Sequence, residues 1–508
     1  MWFEPSNGGA PMISNGPMSL NEWRRIRRYA VPGWMIAACT AARERGDWRA
    51  ACDAAGVEVL FDDAGLVADL LAGFAPDLLR WHLPRHLRGF TELAPGKQFV
   101  LAPGAVVTSS TPVLLVRTLP DDGLTLDRMV LRDLPAGPVF PVPVHLWDAR
   151  EAHGLPVPVV VPPADGPVPV NEVDLWTRAG WVLTGERPRH GVYLDRHTSG
   201  LDPLLVAAEL RRVSAQFGVA GWPLYSEWHQ TQMLLTATRD QLQLSGYSVG
   251  GEAGRAVLML HPDLQRPPID RELVRVGHLT PADLHPLVRA VLFPSAPGGP
   301  TAAEPAGLLA DEMLRVRCRG VWHWVGVSAG RVELPEHTAA EQQREHALAA
   351  FGGEMGGCFQ AEKAWNGGGG RLPKRLREYR RDLILRLEHG GVRVLTEMLD
   401  AGLDPFLRDG AGRTLIHMLR TVGDPGVLPR LLAAGLDIEA RDRQGFTPLV
   451  EAIDRRWPSR LIIALVDAGA DLRASMSASA AVSYLGRAER FADDDLKIAI
   501  AYLRKKNR

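Results

Sequence analysis

The chain repeats itself near its end: Leu399-Asp-Ala-Gly-Leu-Asp404, Leu432-Ala-Ala-Gly-Leu-Asp437 and Val466-Asp-Ala-Gly-Ala-Asp471 follow one another at spacings of 33 and 34 residues. A second motif keeps the same period, since Asp409-Gly-Ala-Gly-Arg-Thr-Leu-Ile-His417 returns 33 residues on as Asp442-Arg-Gln-Gly-Phe-Thr-Pro-Leu-Val450. Two motifs on one period demand a modular fold, because self-similarity at such a spacing marks stacked units. The residue types say how each unit is punctuated. Asp and Gly supply an opening turn, Thr447 before Pro448 starts a helix where a missing N–H costs nothing, and the Gly closing each Leu-rich run can take positive φ. Leu428, Leu431 and Leu432, like Leu461, Ile462, Leu465 and Val466, recur at helical spacing. One short unit cannot bury that apolar face alone, so the units must stack.

These motifs resemble the ankyrin repeat family, whose unit is a tight turn, two antiparallel helices and a returning loop. Asp409–Ala440 and Asp442–Ala474 are the fullest units. Tyr379–Asp404 lacks the opening turn and suits an N-terminal cap; Ser477–Arg490 and Asp493–Arg504 suit a C-terminal one, giving about four units over 371–508. Leu415 in place of the family's Pro, Val450 in place of its His, and Met418–Arg420 in place of its Ala pair depart from the pattern. The resemblance implies a protein partner docked on the turn tips and inner helix face. Position by position these are Arg413 in the second unit and Arg443, Gln444, Phe446, Asp454 and Arg455 in the third, with Phe446 expected to be an exposed aromatic anchor.

The repeats occupy only the last quarter of 508 residues, and the whole reads as a multidomain α+β body followed by an all-α repeat solenoid. Residues 1–18 suit a disordered tail and 19–90 a helical segment. Short β-rich segments with a Pro/Val linker fill 91–170, and an α+β domain fills 171–365. In that domain Trp181–Leu183, Val192–Leu194, Ala256–Leu260 and Leu273–Val276 read as strands and Pro203–Phe217 as a helix. Leu314–Val327 reads as one strand that pairs with Arg331–Leu334 across Ser328-Ala-Gly330, and the glycines between Asn366 and Gly370 as a hinge before the repeats. Charge divides unevenly: 371–508 carries 25 basic against 19 acidic residues, a net of +6, and the remainder a net of −7.

Composition excludes several classes. Four scattered cysteines, Cys39, Cys52, Cys318 and Cys358, give no disulfide framework and fit a reducing compartment. No apolar run is long enough to span a bilayer, so a cytoplasmic, membrane-free protein is expected. The phosphate-loop, serine-elbow and His-Glu-x-x-His signatures are absent, Gly250–Gly254 reads as a turn, and no cofactor is implied. The basic ends of the tail lack interleaved aromatics, which disfavours nucleic acid. Leu78-Leu-Arg-Trp-His-Leu-Pro84 and the Ala-, Arg-, Gly- and Pro-rich style resemble large actinobacterial proteins of unassigned function.

One block combines metal-ligating residue types: Cys318, His323, His337 and Cys358, with Glu341, Glu345 and His346 nearby. Two thiols and two imidazoles suit zinc, and such a centre would support the alternative reading of an enzyme or effector with a metal or thiol site in the body. The spacings match no recognised zinc module, and on sequence alone buried cysteines beside a solvated Glu341, Arg344, Glu345 helix face is the preferred reading. Arg315, Arg317 and Arg319 alternate with apolar residues as on the outer face of a half-buried strand. Trp176, Trp181, Trp222, Trp228, Trp322 and Trp324 read mostly as core.

Overall fold

The computed structural model describes residues 18–85, 92–119, 122–156, 171–185, 191–226, 231–238, 241–248, 255–296, 312–367, 370–490, 492 and 494–506. The expected N-terminal tail up to residue 17, the Pro/Val linker after Pro156, the glycines at 250–254 and Trp228 lie outside the described residues. The protein is mixed α/β and about half helical, with several sheets. It divides into two compact units, Met1–Ala303 and Glu304–Arg508.

In the first unit, helices α1 Leu20–Tyr29, α2 Gly33–Glu44, α3 Trp48–Ala54, α4 Ala68–Gly73 and α5 Pro76–His82 precede most of a six-stranded sheet. The sheet runs β1-β4-β3-β2-β5-β10, built from β1 Val57–Val59, β2 Gln98–Leu101, β3 Pro112–Thr118, β4 Leu124–Val130, β5 Gly137–Pro141 and β10 Ala256–Leu258. Between β5 and β10 the chain makes a second layer: α6 Glu172–Arg178, β6 Trp181–Thr184, α7 Gly191–Thr198, α8 Pro203–Phe217, β7 Gly221–Leu224, β8 Thr231–Ala237 and β9 Leu242–Ser248. Its strands form a separate sheet in the order β6-β9-β8-β7. Trp176, Trp181 and Trp222 fill this layer's own core. After β10 the chain returns as α9 Ile269–Arg275 and α10 Pro286–Leu292, and Met259, Leu273, Leu284 and Val288 join the core of the N-terminal helices.

Two expected strands are helical. Leu273–Val276 falls largely in α9, where Asp270 and Glu272 sit in the first turn and Asp270 and Leu273 share the buried face. A segment with two β-branched residues of four, Val274 and Val276, therefore yields to i, i+3 burial. Val192–Leu194 belongs to α7.

The second unit opens with a three-stranded antiparallel meander of β11 Glu312–Cys318, β12 Val321–Ser328 and β13 Arg331–Glu333. The single long strand expected over Leu314–Val327 is thus two strands. Arg319 (φ 49°) and Gly320 (φ 92°) turn the chain between them, as Ala329 (φ 49°) and Gly330 (φ 75°) do after β12. Positive φ at both central residues of a two-residue loop matches the right-handed twist of a hairpin. α11 Ala339–Ala350 and α12 Gly357–Trp365 follow. The repeat tail then comprises α13 Lys374–Asp400, broken at Gly391 (φ 64°), α14 Leu419–Val422, α15 Leu428–Ala433, α16 Pro448–Asp454, α17 Ser459–Asp467, α18 Ala478–Arg490 and α19 Asp494–Lys506. The sequence boundary near 366–370 lies inside this unit: Trp365 Nε1 donates to Gly330 O at 2.9 Å, and Arg380 Nη1 on α13 donates to the carbonyls of Ala364 and Trp365 at 3.1 Å each.

The tail bonds itself on the period of its sequence. Arg408 Nη1 reaches Arg441 O at 3.1 Å, and Arg441 Nη2 reaches Ala474 O at 2.5 Å, each 33 residues ahead. Arg443 Nη1 reaches back 33 residues to Gly410 O at 2.8 Å. Within the units, Asp409 Oδ1 accepts from Ala411 and Arg413 N–H, and Asp442 Oδ1 accepts from Gln444 and Phe446 N–H. Thr447 caps α16 ahead of Pro448.

Candidate functional site

Four elements bring Cys318, His323, His337 and Cys358 together, and one donor atom from each lies within 4.8 Å of every other. Cys318 ends β11, His323 lies within β12, His337 precedes α11 and Cys358 sits in the first turn of α12. The strand register explains the first pair: Cys318 is opposite Val321 and His323 opposite Val316, so both side chains project from the inner face of the hairpin. The third residue, His337, is placed by Thr338, whose capping box with Glu341 starts α11 just after it.

Cys358 gets close because two glycines precede it. A Cβ on Gly356 would lie 2.6 Å from Cys318 Sγ, and one on Gly357 would lie 2.2 Å from Arg317 O. No other residue lets the start of α12 approach β11 so closely. Cys318 and Cys358 are both buried. Burial and the neighbouring Cys318 push the Cys358 thiol up to about 12. His323 Nδ1 faces His337 Nε2 at 2.8 Å, and burial together with His323 holds His337 below the ordinary histidine value.

The surroundings orient this group. Glu341 Oε2 lies 3.9 Å from His337 Nδ1, on the far side of the ring from His323, and the Phe359 ring packs on His337 with centroids 4.6 Å apart. Glu345 is buried, which corrects the expectation of a solvated Glu341–Glu345 face. It accepts from Gly356 N–H and pairs with Arg319, so the helix carboxylate reaches both the hairpin turn and the loop before Cys358. His346 turns away to Glu362.

The outer face of the same hairpin carries Arg315 and Arg317, opposite Trp324 and Trp322. Trp322 (59% exposed) and Trp324 (37%) are therefore surface residues and not core, because alternation puts them across the sheet from Val325. Arg315 lies over the Trp324 ring at 4.9 Å. Arg319 leaves this row for the turn. Beside the hairpin, Arg317, Gln360, Arg371, Lys374 and Arg377 line a cleft of about 410 Å³. The basic rim was visible in the sequence as the charged start of the tail; the cleft was not.

The residues expected to contact a partner separate into two groups. Arg443, Gln444, Asp454 and Arg455 are exposed, although Arg455 also pairs with Glu451 at 3.0 Å. Arg413 points inward to Asp409 at 2.7 Å, Glu388 at 3.2 Å and Glu451 at 3.6 Å. Phe446 is half-buried and its carbonyl faces His417 Nε2 at 3.1 Å. The exposed aromatic of this region is Phe406, which sequence reasoning passed over; it follows the repeated Leu-Asp by two residues.

In the first unit a cavity of about 190 Å³ is lined by Trp23, Arg27, His82, His145, Asp263 and Arg266, to none of which the sequence assigned a role. Burial holds His82 well below the ordinary histidine value and brings His145 down to about 4. Burial likewise pushes the Cys39 and Cys52 thiols up to about 12, which leaves both un-ionised at neutral pH. Among the described residues no helix is long and apolar enough to cross a membrane.

No family model matches the chain. It is 39% identical over 62 residues to NF-kappa-B inhibitor delta of Mus musculus, a match that covers 12% of this chain and 19% of that protein. The likeness supports ankyrin repeats in the chain, and a role in protein interaction at most.

Proposed function

We propose that residues 371–508 form an ankyrin-type array through which the chain docks a protein partner. The observation that carries this reading is the set of hydrogen bonds repeated at the sequence period, Arg408 to Arg441, Arg441 to Ala474 and Arg443 to Gly410. Bonds of that kind are what stacked units make with their neighbours. The short likeness to NF-kappa-B inhibitor delta points the same way. The contact surface is then Phe406 with the exposed tips Arg443, Gln444, Asp454 and Arg455, an apolar anchor among charges. The net charge of +6 over the tail favours an acidic partner segment.

The test is affinity capture with the full chain against a Phe406→Ala, Gln444→Ala variant. A partner should be captured by the first and reduced at least about tenfold with the second, at an unchanged melting temperature. Equal capture of every protein by both would sink the placement of the docking surface.

A second reading, in which the body carries an activity that the repeats only target, has the cavity around His82 and His145 in its favour. A concave site with shifted histidines is where such chemistry would reside. Small-molecule binding that quenches Trp23 fluorescence and is lost in His82→Gln would support it; retained binding in that variant would remove the assignment.

A further inference from the structure

We propose that Cys318, His323, His337 and Cys358 bind one Zn²⁺ in a closed tetrahedral centre, and that this centre holds the platform on which the first repeat is seated. The metal assignment stands on the second unit's geometry alone and does not depend on the docking reading.

Two sulfur and two imidazole donors arranged tetrahedrally select zinc over the oxygen-seeking Mg²⁺ and Ca²⁺. With Zn–S of about 2.3 Å and Zn–N of about 2.0–2.1 Å, a regular tetrahedron puts its donor atoms roughly 3.3–3.8 Å apart. The four donors here already lie within 4.8 Å of one another, and the two histidine nitrogens need to separate only slightly from 2.8 Å. Four Lewis bases converge from four elements, and the backbone is shaped to let them. The Arg319-Gly320 turn returns His323 to Cys318, and the Gly356-Gly357 pair admits Cys358. Packing alone would not require two glycines followed by a thiol at that point.

The outer groups fit ligation as well. His337 offers Nε2 to the group while Glu341 stands near Nδ1, the arrangement in which a carboxylate fixes ring orientation and raises ligand basicity. Four protein ligands fill a tetrahedral site and leave no position for a substrate or a water. The centre is therefore structural, not hydrolytic. A thiol nucleophile is excluded by the same burial of Cys318 and Cys358.

Such a staple has a mechanical target. The β12–β13 turn that the hairpin presents is the surface against which the repeat tail begins: Ala329 O accepts Asp404 N–H at 2.8 Å, Arg331 Nε meets Asp404 Oδ2 at 3.3 Å, and Trp365 on α12 bonds Gly330 O. Asp404 closes the first Ala-Gly-Leu-Asp motif. The three strands and two helices bury few large side chains of their own, chiefly Leu314, Leu334, Phe359 and Trp365, so a metal would add to the packing that holds them. The zinc would supplement that small core and so fix the turn to which Asp404 is bound.

The experiment uses the full chain purified under reducing conditions with zinc in the growth medium. Elemental analysis should give about one zinc per chain, falling to below about a tenth in Cys318→Ser and in Cys358→Ser, and staying near one in Cys39→Ser. Replacement by Co²⁺ in the unmutated chain should give tetrahedral visible bands with thiolate charge transfer, a readout that does not depend on the variants folding. Chelation should then speed amide exchange severalfold in 312–365 and in 374–404, with 18–296 unchanged. A chain without stoichiometric zinc and without the cobalt spectrum, or one with Cys318 and Cys358 joined as a disulfide under reducing conditions, overturns the metal assignment. Accelerated exchange confined to 312–365 overturns the seating role and leaves the metal site standing.

Discussion

Glu345 on α11 accepts the backbone N–H of Gly356 through Oε2 at 3.1 Å, while its Oε1 takes the guanidinium of Arg319. One buried carboxylate thus ties the turn that follows Cys318 to the loop that precedes the helix bearing Cys358. If the proposed zinc site forms, Glu345→Ala should lower its affinity by about tenfold, the low end for an outer-shell contact, because Glu345 holds the neighbouring backbone and bonds no ligand directly. Glu345→Gln, which can still accept from Gly356, should fall in between. Competitive titration with a chromophoric chelator measures both, and identical affinities for all three proteins would show that the contact does not position the site.

The close approach of α12 to β11 predicts a backbone-size effect. Gly357→Ala forces a Cβ to within 2.2 Å of the Arg317 carbonyl, which cannot swing aside as a side chain could. A loss of about 1–3 kcal/mol is expected from this overpacking, read as a lowered melting midpoint of the second unit. Gly410→Ala meets nothing within 4 Å and serves as the control, with a midpoint close to that of the unmutated chain.

Far from that site, Arg27 and Asp270 form a buried pair at 2.8 Å across 243 residues of sequence, and Asp270 also accepts from Trp81 Nε1 at 3.2 Å. Asp270→Ala leaves the guanidinium without its counter-charge and should cost about 3–5 kcal/mol. The loss should appear in the unfolding transition of the first unit alone. If urea midpoints move by less than a quarter of that, the pair is not a stabilising contact.

Acid should loosen the first unit through the half-buried histidines His82 and His145. Unfolded histidines take up a proton near pH 6.5, whereas burial delays His145 to about 4 and His82 well below the ordinary value. Below pH about 6.5 the unfolded state therefore binds more protons, so stability is complete above that pH and falls as the pH drops towards 4. His145 accounts for a loss of roughly 1–3 kcal/mol over this window. His145→Gln should flatten the pH dependence of the melting temperature; an unaltered slope would mean that His145 titrates normally in the folded unit.

The repeated motifs are legible in sequence because the turn, cap and apolar residues of each lie within 33 residues, and hydrogen bonds recur at that same spacing. The same reasoning collected Cys318, His323, His337 and Cys358 by residue type, but it merged β11 with β12. Alternating apolar residues run through Arg319-Gly320 without interruption, and only the residue pair itself signals the turn. The doubled glycine before Cys358 was a further signal, legible only once the facing strand is known. The outward position of Trp322 and Trp324 followed from the same missed turn. Contacts such as Arg27 with Asp270, or the return of α9 and α10 to the N-terminal core, have no local signature at all. They depend on where distant segments meet, which residue order does not state.

Arg408 and Arg441 occupy equivalent places and hand the same bond forward, to Arg441 O and Ala474 O. A segment copied whole at this spacing would therefore arrive with that one connector already matched. The tail's first segment is not interchangeable in this way. Asp404 is bound to Ala329 in the β12–β13 turn, outside the repeating sequence, so this first segment carries a contact that a copied unit would lack.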